Sequence, residues 1–392
     1  MYTCAADYGE EDQSVKATCL QDNLAKGLAI VGRAVATRST LPMASNILLA
    51  SDGPRLKLAA TNLEIGITTW VGAKVEEEGA VAVPARLLSE FVSSLPQEKI
   101  ELTLNPRNRT LNLKCARFEA NIRGADPEEF PPLPSVSEEP TTTLDPKALH
   151  DGVAQVVFAA ATDDTRPALA GVLCSLQDET LTMAAADGYR LAVRKIGLSS
   201  AVPEKIDFIV PARALQEIGR LAADEEDPVE VSVAPNRSHV LFHGANVDVV
   251  SRLIDANFPP YNQIIPSRWN TRVLINTADL LKSTKLAFLF ARDSANIVKL
   301  QFQPGQEEMQ PGRTTISSAA ADLGDNASEI DVVMEGNATQ IAFNGKYLLD
   351  VLGVVGTGQV ALEVSSPSSP GVVKPVGDDG YVHVIMPMHV AK

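Results

Sequence analysis

Four aspartates, Asp163, Asp164, Asp187 and Asp255, are the side chains of this chain that could act as an acid–base pair or gather a divalent cation. Their settings speak against both roles. Asp187-Gly188 is a turn dipeptide, in which both residues are favoured for backbone reasons, and the others stand in polar loops where a carboxylate is simply hydrated. His239 and His243 have a zinc-compatible spacing only if further ligands join them, and His383 and His389 belong to no metal motif. Cys4, Cys19, Cys115 and Cys174 show no C-x-x-C spacing and read as reduced, structural thiols. No G-x-x-x-x-G-K-[ST] phosphate loop occurs. The expectation is a chain with no catalysis, no metal and no cofactor of its own.

A second pattern is basic. Arg86, Arg213 and Lys346 occupy equivalent places in V-P-A-R-L-L-S-E-F (83–91), V-P-A-R-A-L-Q-E-I (210–218) and F-N-G-K-Y-L-L-D-V (343–351). Each lies two residues before the first apolar position of a helical stripe, which at 100° per residue puts it opposite the buried face. Lys26 and Arg33 likewise follow Leu24 and Val31 by two. Repeated outward cations suit a duplex phosphate backbone. The competing reading is a solvated face, because Glu90, Glu217 and Asp350 follow those three bases at i+4 and could pair with them. The net charge of −15 argues against a conventional tight DNA binder, and 5% aromatic residues leave little for base stacking.

The elements that must carry these cations repeat three times. Pro84 and Pro211 are 127 positions apart, Pro211 and Asn344 133, and the closing pairs Phe130-Pro131, Phe258-Pro259 and Met386-Pro387 are spaced by 128 each time. In the repeated segment the apolar stripe is Leu88, Phe91, Val92, Leu95, then Leu215, Ile218, Gly219, Ala222, then Leu348, Val351, Leu352, Val355. An earlier amphipathic segment precedes each, and six helices are predicted over 22–38, 84–95, 146–161, 211–222, 278–292 and 343–355. Stretches such as 55–61, 229–233 and 360–364 alternate as strands. Pro-rich stretches after Phe130 and Phe258 read as linkers, giving an acidic tail over 1–15 and domains of 16–138, 139–267 and 268–392. The pattern predicts an α+β fold, each domain with two helices on antiparallel sheet. A secretory start and a long apolar span are both missing, which reads as cytoplasmic with no membrane role.

L-P-M-A-S-N-I-L-L, L-K-L-A-A-T-N-L-E-I-G-I, V-P-A-R-L-L, A-A-D-G-Y-R-L-A-V, R-L-I-D-A-N-F-P-P-Y and Y-V-H-V-I-M-P-M, in that order, resemble the bacterial sliding clamp family, the β subunit of the replicative DNA polymerase. The resemblance runs from about residue 16 to the end. It implies a ring-shaped head-to-tail homodimer of three similar domains per chain, encircling double-stranded DNA without sequence preference. Its implied partners are a clamp loader, the polymerase catalytic subunit and other proteins that carry a clamp-binding motif. By position, the family's partner-peptide pocket corresponds to Leu169, Gly188, Tyr189, Arg190, Leu191, Pro259, Ile264, Asn344, Tyr347, Val384, Ile385, Met386, Pro387 and Met388. DNA contacts correspond to Arg38 and Arg213, beside the outward Arg86, Lys346, Lys26 and Arg33, and the dimer seam to Phe118 and Ala120 against Leu289 and Phe290. The chain departs from the family's usual T-D-G-H-R-L and M-P-M-R-L at Ala186, Tyr189 and His389. Apart from these motifs, a β-rich scaffold for binding proteins or glycans would fit the same repeats.

Overall fold

The computed structural model describes residues 15–36, 41–134, 139–163, 165–293, 295–305, 310–320 and 322–389, so most of the acidic tail, Cys4, Asp164 and Arg38 lie outside it. Among the described residues six helices follow in chain order: α1 Gln21–Val31, α2 Ala85–Ser93, α3 Pro146–Val156, α4 Ala212–Ala222, α5 Thr277–Ala291 and α6 Gly345–Val354. Their stripes bury as the periodicity requires. Leu24, Leu28, Leu88, Leu149, Leu215 and Leu348 are at most 1% exposed, and each such burial contributes roughly 1.5–3 kcal/mol.

Two helices stop earlier than predicted. After Val31 the chain tightens into the 3-10 turn Gly32–Ala34, and after Val156 into Val157–Ala159. Glycine is a poor helix former, and a tight final turn satisfies carbonyls that a longer helix would have bonded internally. Arg33 therefore sits in that turn and not in a helix running to 38. The linker after Phe130 is also shorter than expected, because Thr142–Leu144 is a strand that pairs with Val229–Val231.

The described residues form two compact units. One draws on the described residues within Met1–His150, Leu198–Val202 and Arg213–Leu253, the other on those within Asp151–Gly197, Pro203–Ala212 and Ile254–Lys392. In the first, a twelve-stranded sheet runs Phe118–Arg123, Thr110–Cys115, Lys99–Asn105, Lys16–Leu20, Ile65–Glu77, Val247–Arg252, His239–His243, Val229–Val233, Thr142–Leu144, with Asn46–Asp52, Arg55–Thr61 and Ala80–Pro84 joined off this path. The long strand Ile65–Glu77 makes the sheet continuous: its end pairs with Lys16–Cys19 and its start with Val247–Ser251. The second unit has a ten-stranded sheet in the order Gly171–Ala186, Arg190–Pro211, Tyr381–Ile385, Gly371–Pro375, Gln359–Val364, Thr271–Asn276, Gly324–Gly336, Gly312–Ala320, Ile297–Gln303, Thr339–Asn344. Here Arg190–Arg194 pairs with Tyr381–Ile385. These pairings are antiparallel, the α+β arrangement that the alternation predicts.

Helices couple within the units. The Gln21 Nε2 of α1 donates to the Val92 carbonyl of α2 at 2.7 Å, and His150 Nδ1 meets the Gly219 carbonyl at 2.8 Å. Asn276 and Asn344 cap α5 and α6 by accepting from the backbone N–H groups of Asp279 and Lys346. Cys19, Cys115 and Cys174 are free and buried, and burial pushes the Cys19 and Cys174 thiols up to about 12, away from nucleophilic use.

Candidate functional site: an exposed apolar patch and exposed helix cations

The expected pocket positions centre on the turn between strands Gly171–Ala186 and Arg190–Pro211. Asp187 Oδ1 accepts from the backbone N–H groups of Tyr189 at 2.8 Å and Arg190 at 3.0 Å. Gly188 takes φ +94°, a conformation open to glycine at little cost, so the turn closes tightly. Arg166 secures its outer side by donating to the Asp187 carbonyl at 2.8 Å. With its backbone held, Tyr189 projects outward, 63% exposed.

Pairing of Leu191 with Val384 brings the last strand alongside this turn. Two backbone bonds then steer the chain beyond it: Met386 N–H donates to the Tyr189 carbonyl at 2.8 Å, and Met388 N–H to the Ala342 carbonyl at 2.8 Å. Beneath lies a buried cluster of Ala184, Ala186, Leu191, Val193, Val372 and Val384, against which Leu169, Leu173, Phe258, Tyr261, Ile265 and Val382 pack half-buried. Tyr189, Ile264 and Met386 remain exposed apolar residues. Apolar side chains left in water around a pre-formed cluster are the usual mark of a binding surface, and a methionine on the rim lets it adapt to its occupant.

The fourteen expected pocket positions separate into kinds. Leu191 and Val384 belong to the cluster and Leu169 packs against it, Tyr189, Met386 and Ile264 are its exposed neighbours in sequence, Gly188 and Pro259 are exposed, and Pro387 and Met388 are half-buried. Ile385 is a core residue at 0% exposure, since strand alternation turns it away from the face that Val384 presents. Asn344 is engaged as the α6 cap, accepting from Lys346 N–H at 3.0 Å. Tyr347 stacks on Arg190, the guanidinium carbon 4.4 Å from the ring centroid. Leu173, Phe258, Tyr261, Ile265 and Val382 are additions that sequence reasoning missed. Tyr261 falls in a stretch that reads as a Pro-rich linker, yet its ring meets that of Phe258 edge-on at 6.2 Å.

Two of the four carboxylates raised as catalytic candidates, Asp163 and Asp187, have partners. Asp163 takes Arg166 at 2.9 Å, whose hydrogen bond, seconded by Thr165, holds that carboxyl down at about 2. Asp187 takes Arg190 Nε at 3.0 Å. On the adjacent strand His383 is fully buried near the Phe158 and Tyr381 rings, and burial, reinforced by the nearby Arg190 charge, pushes its imidazole down to about 3, so it is neutral. His239 and His243 share one strand, where His243 pairs with Asp248 at 2.5 Å.

The six cations expected at DNA differ in freedom. Arg38 lies outside the described residues. Arg86 pairs with Glu90 at 2.8 Å, the i+4 contact foreseen. The other two i+4 expectations fail: Glu217 binds Arg33 at 3.0 Å and Arg220 at 2.8 Å instead of Arg213, and Asp350 binds Arg190 instead of Lys346. Arg33 and Arg190 reach these carboxylates from distant parts of the chain, which the i+4 spacing alone does not foresee. Lys26, Arg213 and Lys346 are exposed and make no ion pair among the described residues, and the same is true of Lys282 and Lys285 on α5, which the sequence reading left out. At the expected seam, Phe118 begins the edge strand Phe118–Arg123 at 49% exposure with Ala120 half-buried on the same face. Leu289 near the end of α5 is 51% exposed, Phe290 is half-buried, and Leu286, one turn earlier, adds 43%.

Comparison with known proteins covers almost the whole chain. Residues 15–134, 143–260 and 262–389 match, in order, the models of the N-terminal, central and C-terminal domains of the DNA polymerase III beta subunit. The chain is 31% identical to the beta sliding clamp of Synechococcus elongatus over 96% of its own length and 100% of that protein. Among solved structures it is similar to the DNA polymerase sliding clamp of Bacillus subtilis, with TM-score 0.90 and 27% identity over 96% of this chain and 100% of that one. The Pseudomonas aeruginosa sliding clamp, solved bound to griselimycin, matches with TM-score 0.87 and 26% identity at the same coverage.

Proposed function

This chain belongs to the DNA polymerase III beta subunit family, the bacterial sliding clamps, and we propose that it exerts the clamp's processivity function as a non-catalytic ring of two copies closed head to tail around duplex DNA. The observation that carries the reading is the three-fold repeat, each segment of which matches one clamp domain in the family's order. A ring resolves the conflict between a net charge of −15 and a DNA role, because topology and not phosphate affinity retains the duplex. Every tight phosphate contact would have to break for the ring to slide, so a few loosely held cations serve better than many. We assign that role to Lys26, Arg213 and Lys346 together with Lys282 and Lys285, and read Arg33 and Arg86 as internally paired. Arg38 keeps its place on the family resemblance alone. Domain limits of 16–138, 139–267 and 268–392 follow the repeat.

For the ring closure, Phe118 and Ala120 of one copy would cover Leu289 and Phe290 of the other, joined by Leu286. Self-association hides exposed apolar side chains that would otherwise stay in water. The apolar groove around Leu169, Tyr189, Leu191, Val384 and Met386 is the docking place for short segments of the polymerase and the clamp loader, and griselimycin, bound by the P. aeruginosa clamp, would seat there.

Topological binding is tested by loading the protein on nicked circular duplex with a bacterial clamp loader and ATP, then cutting the circle. Retention on the circle with release after linearisation is expected at salt concentrations that screen surface charge. Equal loss from circle and linear DNA would refute the ring.

A further inference from the structure

Arg190 is the one charged residue among the expected pocket positions, but its guanidinium is already taken up inside the protein. Its side chain is 9% exposed. Nε donates to Asp187 Oδ2 at 3.0 Å, Nη1 to Asp350 Oδ2 at 2.6 Å and Nη2 to the Phe158 carbonyl at 2.6 Å. The Phe158 and Tyr347 rings stack against the group at 5.2 and 4.4 Å. All three nitrogens are thus engaged, and two aromatic rings approach the cation.

These contacts join three pieces of chain: the turn that presents Tyr189, the 3-10 turn Val157–Ala159, and helix α6, which supplies Tyr347 and Asp350. The turn in turn holds Met386, whose N–H bonds the Tyr189 carbonyl. We propose that Arg190 is a positioning residue of the groove: it makes no contact with the occupant but fixes Tyr189, Leu191 and Met386 by clamping their turn to α6. The inference rests on the groove reading above. A planar fork with several fixed donors can hold three acceptors in different directions, which a lysine ammonium on a flexible stem cannot reproduce. Asp350 is therefore as much a part of the groove's architecture as Arg190, although it lies outside the apolar cluster.

The full-length protein and its Arg190→Lys, Asp350→Asn, Arg190→Lys/Asp350→Asn and Met386→Ala variants test this with two readouts. The first is griselimycin affinity by calorimetry, and the second is hydrogen exchange of the Met386 amide without ligand. Arg190→Lys is expected to weaken griselimycin about tenfold and Asp350→Asn about threefold, with faster Met386 exchange in both and a double variant no worse than Arg190→Lys. Loss of affinity in Arg190→Lys, with wild-type affinity and wild-type exchange in Asp350→Asn, would make Arg190 a direct ligand and overturn the proposal. If Met386→Ala binds as the wild type does, the groove has been misassigned. Exchange of the Met386 amide, read without ligand, still decides whether Arg190 positions the turn: unchanged exchange in both variants refutes it.

Discussion

Two turns in this molecule share a backbone and differ in almost everything attached to it. In the first unit, Asn62 Oδ1 accepts from the N–H groups of Glu64 and Ile65 at 3.0 and 2.9 Å, as Asp187 Oδ1 does from Tyr189 and Arg190 in the second. Leu63 takes φ +76° where Gly188 takes +94°. Arg252 N–H bonds the Glu64 carbonyl at 2.8 Å as Met386 N–H bonds that of Tyr189, and Val250 pairs with Gly66 as Val384 pairs with Leu191. The side chains then diverge. Opposite Val250 stands a glycine, and a Cβ there would lie 2.4 Å from Leu133 Cδ2. Leu133 closes F-P-P-L as Tyr261 closes F-P-P-Y, so in the first unit a linker leucine occupies the space that a side chain at Gly66 would take. The second has Leu191 in the floor and leaves Tyr189 and Met386 exposed. One backbone can thus carry a turn packed by a leucine and a turn that leaves apolar side chains exposed, and the choice lies in a handful of side chains.

The largest effect should come from the floor. Leu191 is 1% exposed, so Leu191→Ala is expected to cost about 2–5 kcal/mol in urea unfolding as well as ligand affinity. A loss of affinity with unchanged stability would mean that the leucine is not core. Gly66→Leu installs the second unit's residue in the first, against Leu133 and Val250, and overpacking should cost about 1–3 kcal/mol. Adding Leu133→Ala should recover part of that, and no recovery would show that the two residues do not compete.

Acid should distinguish the two regions next. His383 is held neutral with its folded value pushed down to about 3, whereas the register of the first unit puts the apolar Val249 in its place, opposite Ile67 as His383 is opposite Ala192. Because the folded value lies below the unfolded one, the unfolded chain binds the extra proton. His383's contribution is therefore complete above about pH 6.5 and lost as the pH falls toward 3, with a limiting slope of about 1.4 kcal/mol per pH unit. His383→Phe should flatten that part of the stability profile measured by denaturation at several pH values, and an unchanged slope would assign it elsewhere. The smallest effect concerns Leu63, a bulky residue in the left-handed region at 49% exposure. Relief of its strain makes Leu63→Gly neutral or up to about 1 kcal/mol stabilising, and a clear loss would show that its side chain has a contact of its own to make.

Much of this was determined by local order along the chain. The three repeats, the stripes through Leu88, Leu215 and Leu348, the strand alternation and the Asp187-Gly188 turn are written in spacings of a few residues, because helix and strand periods and turn conformations are set by neighbours. The outward position of Lys26, Arg213 and Lys346 follows from the same periods. Only the tertiary structure decided which cations stay free. Arg33 meets Glu217 across 184 positions and Arg190 meets Asp350 across 160, distances at which no i+4 rule has force. It also decided that Leu133 of F-P-P-L packs over Gly66 while Tyr261 of F-P-P-Y packs against a cluster that holds Leu191, since what an apolar residue covers depends on what the sheet register sets opposite it.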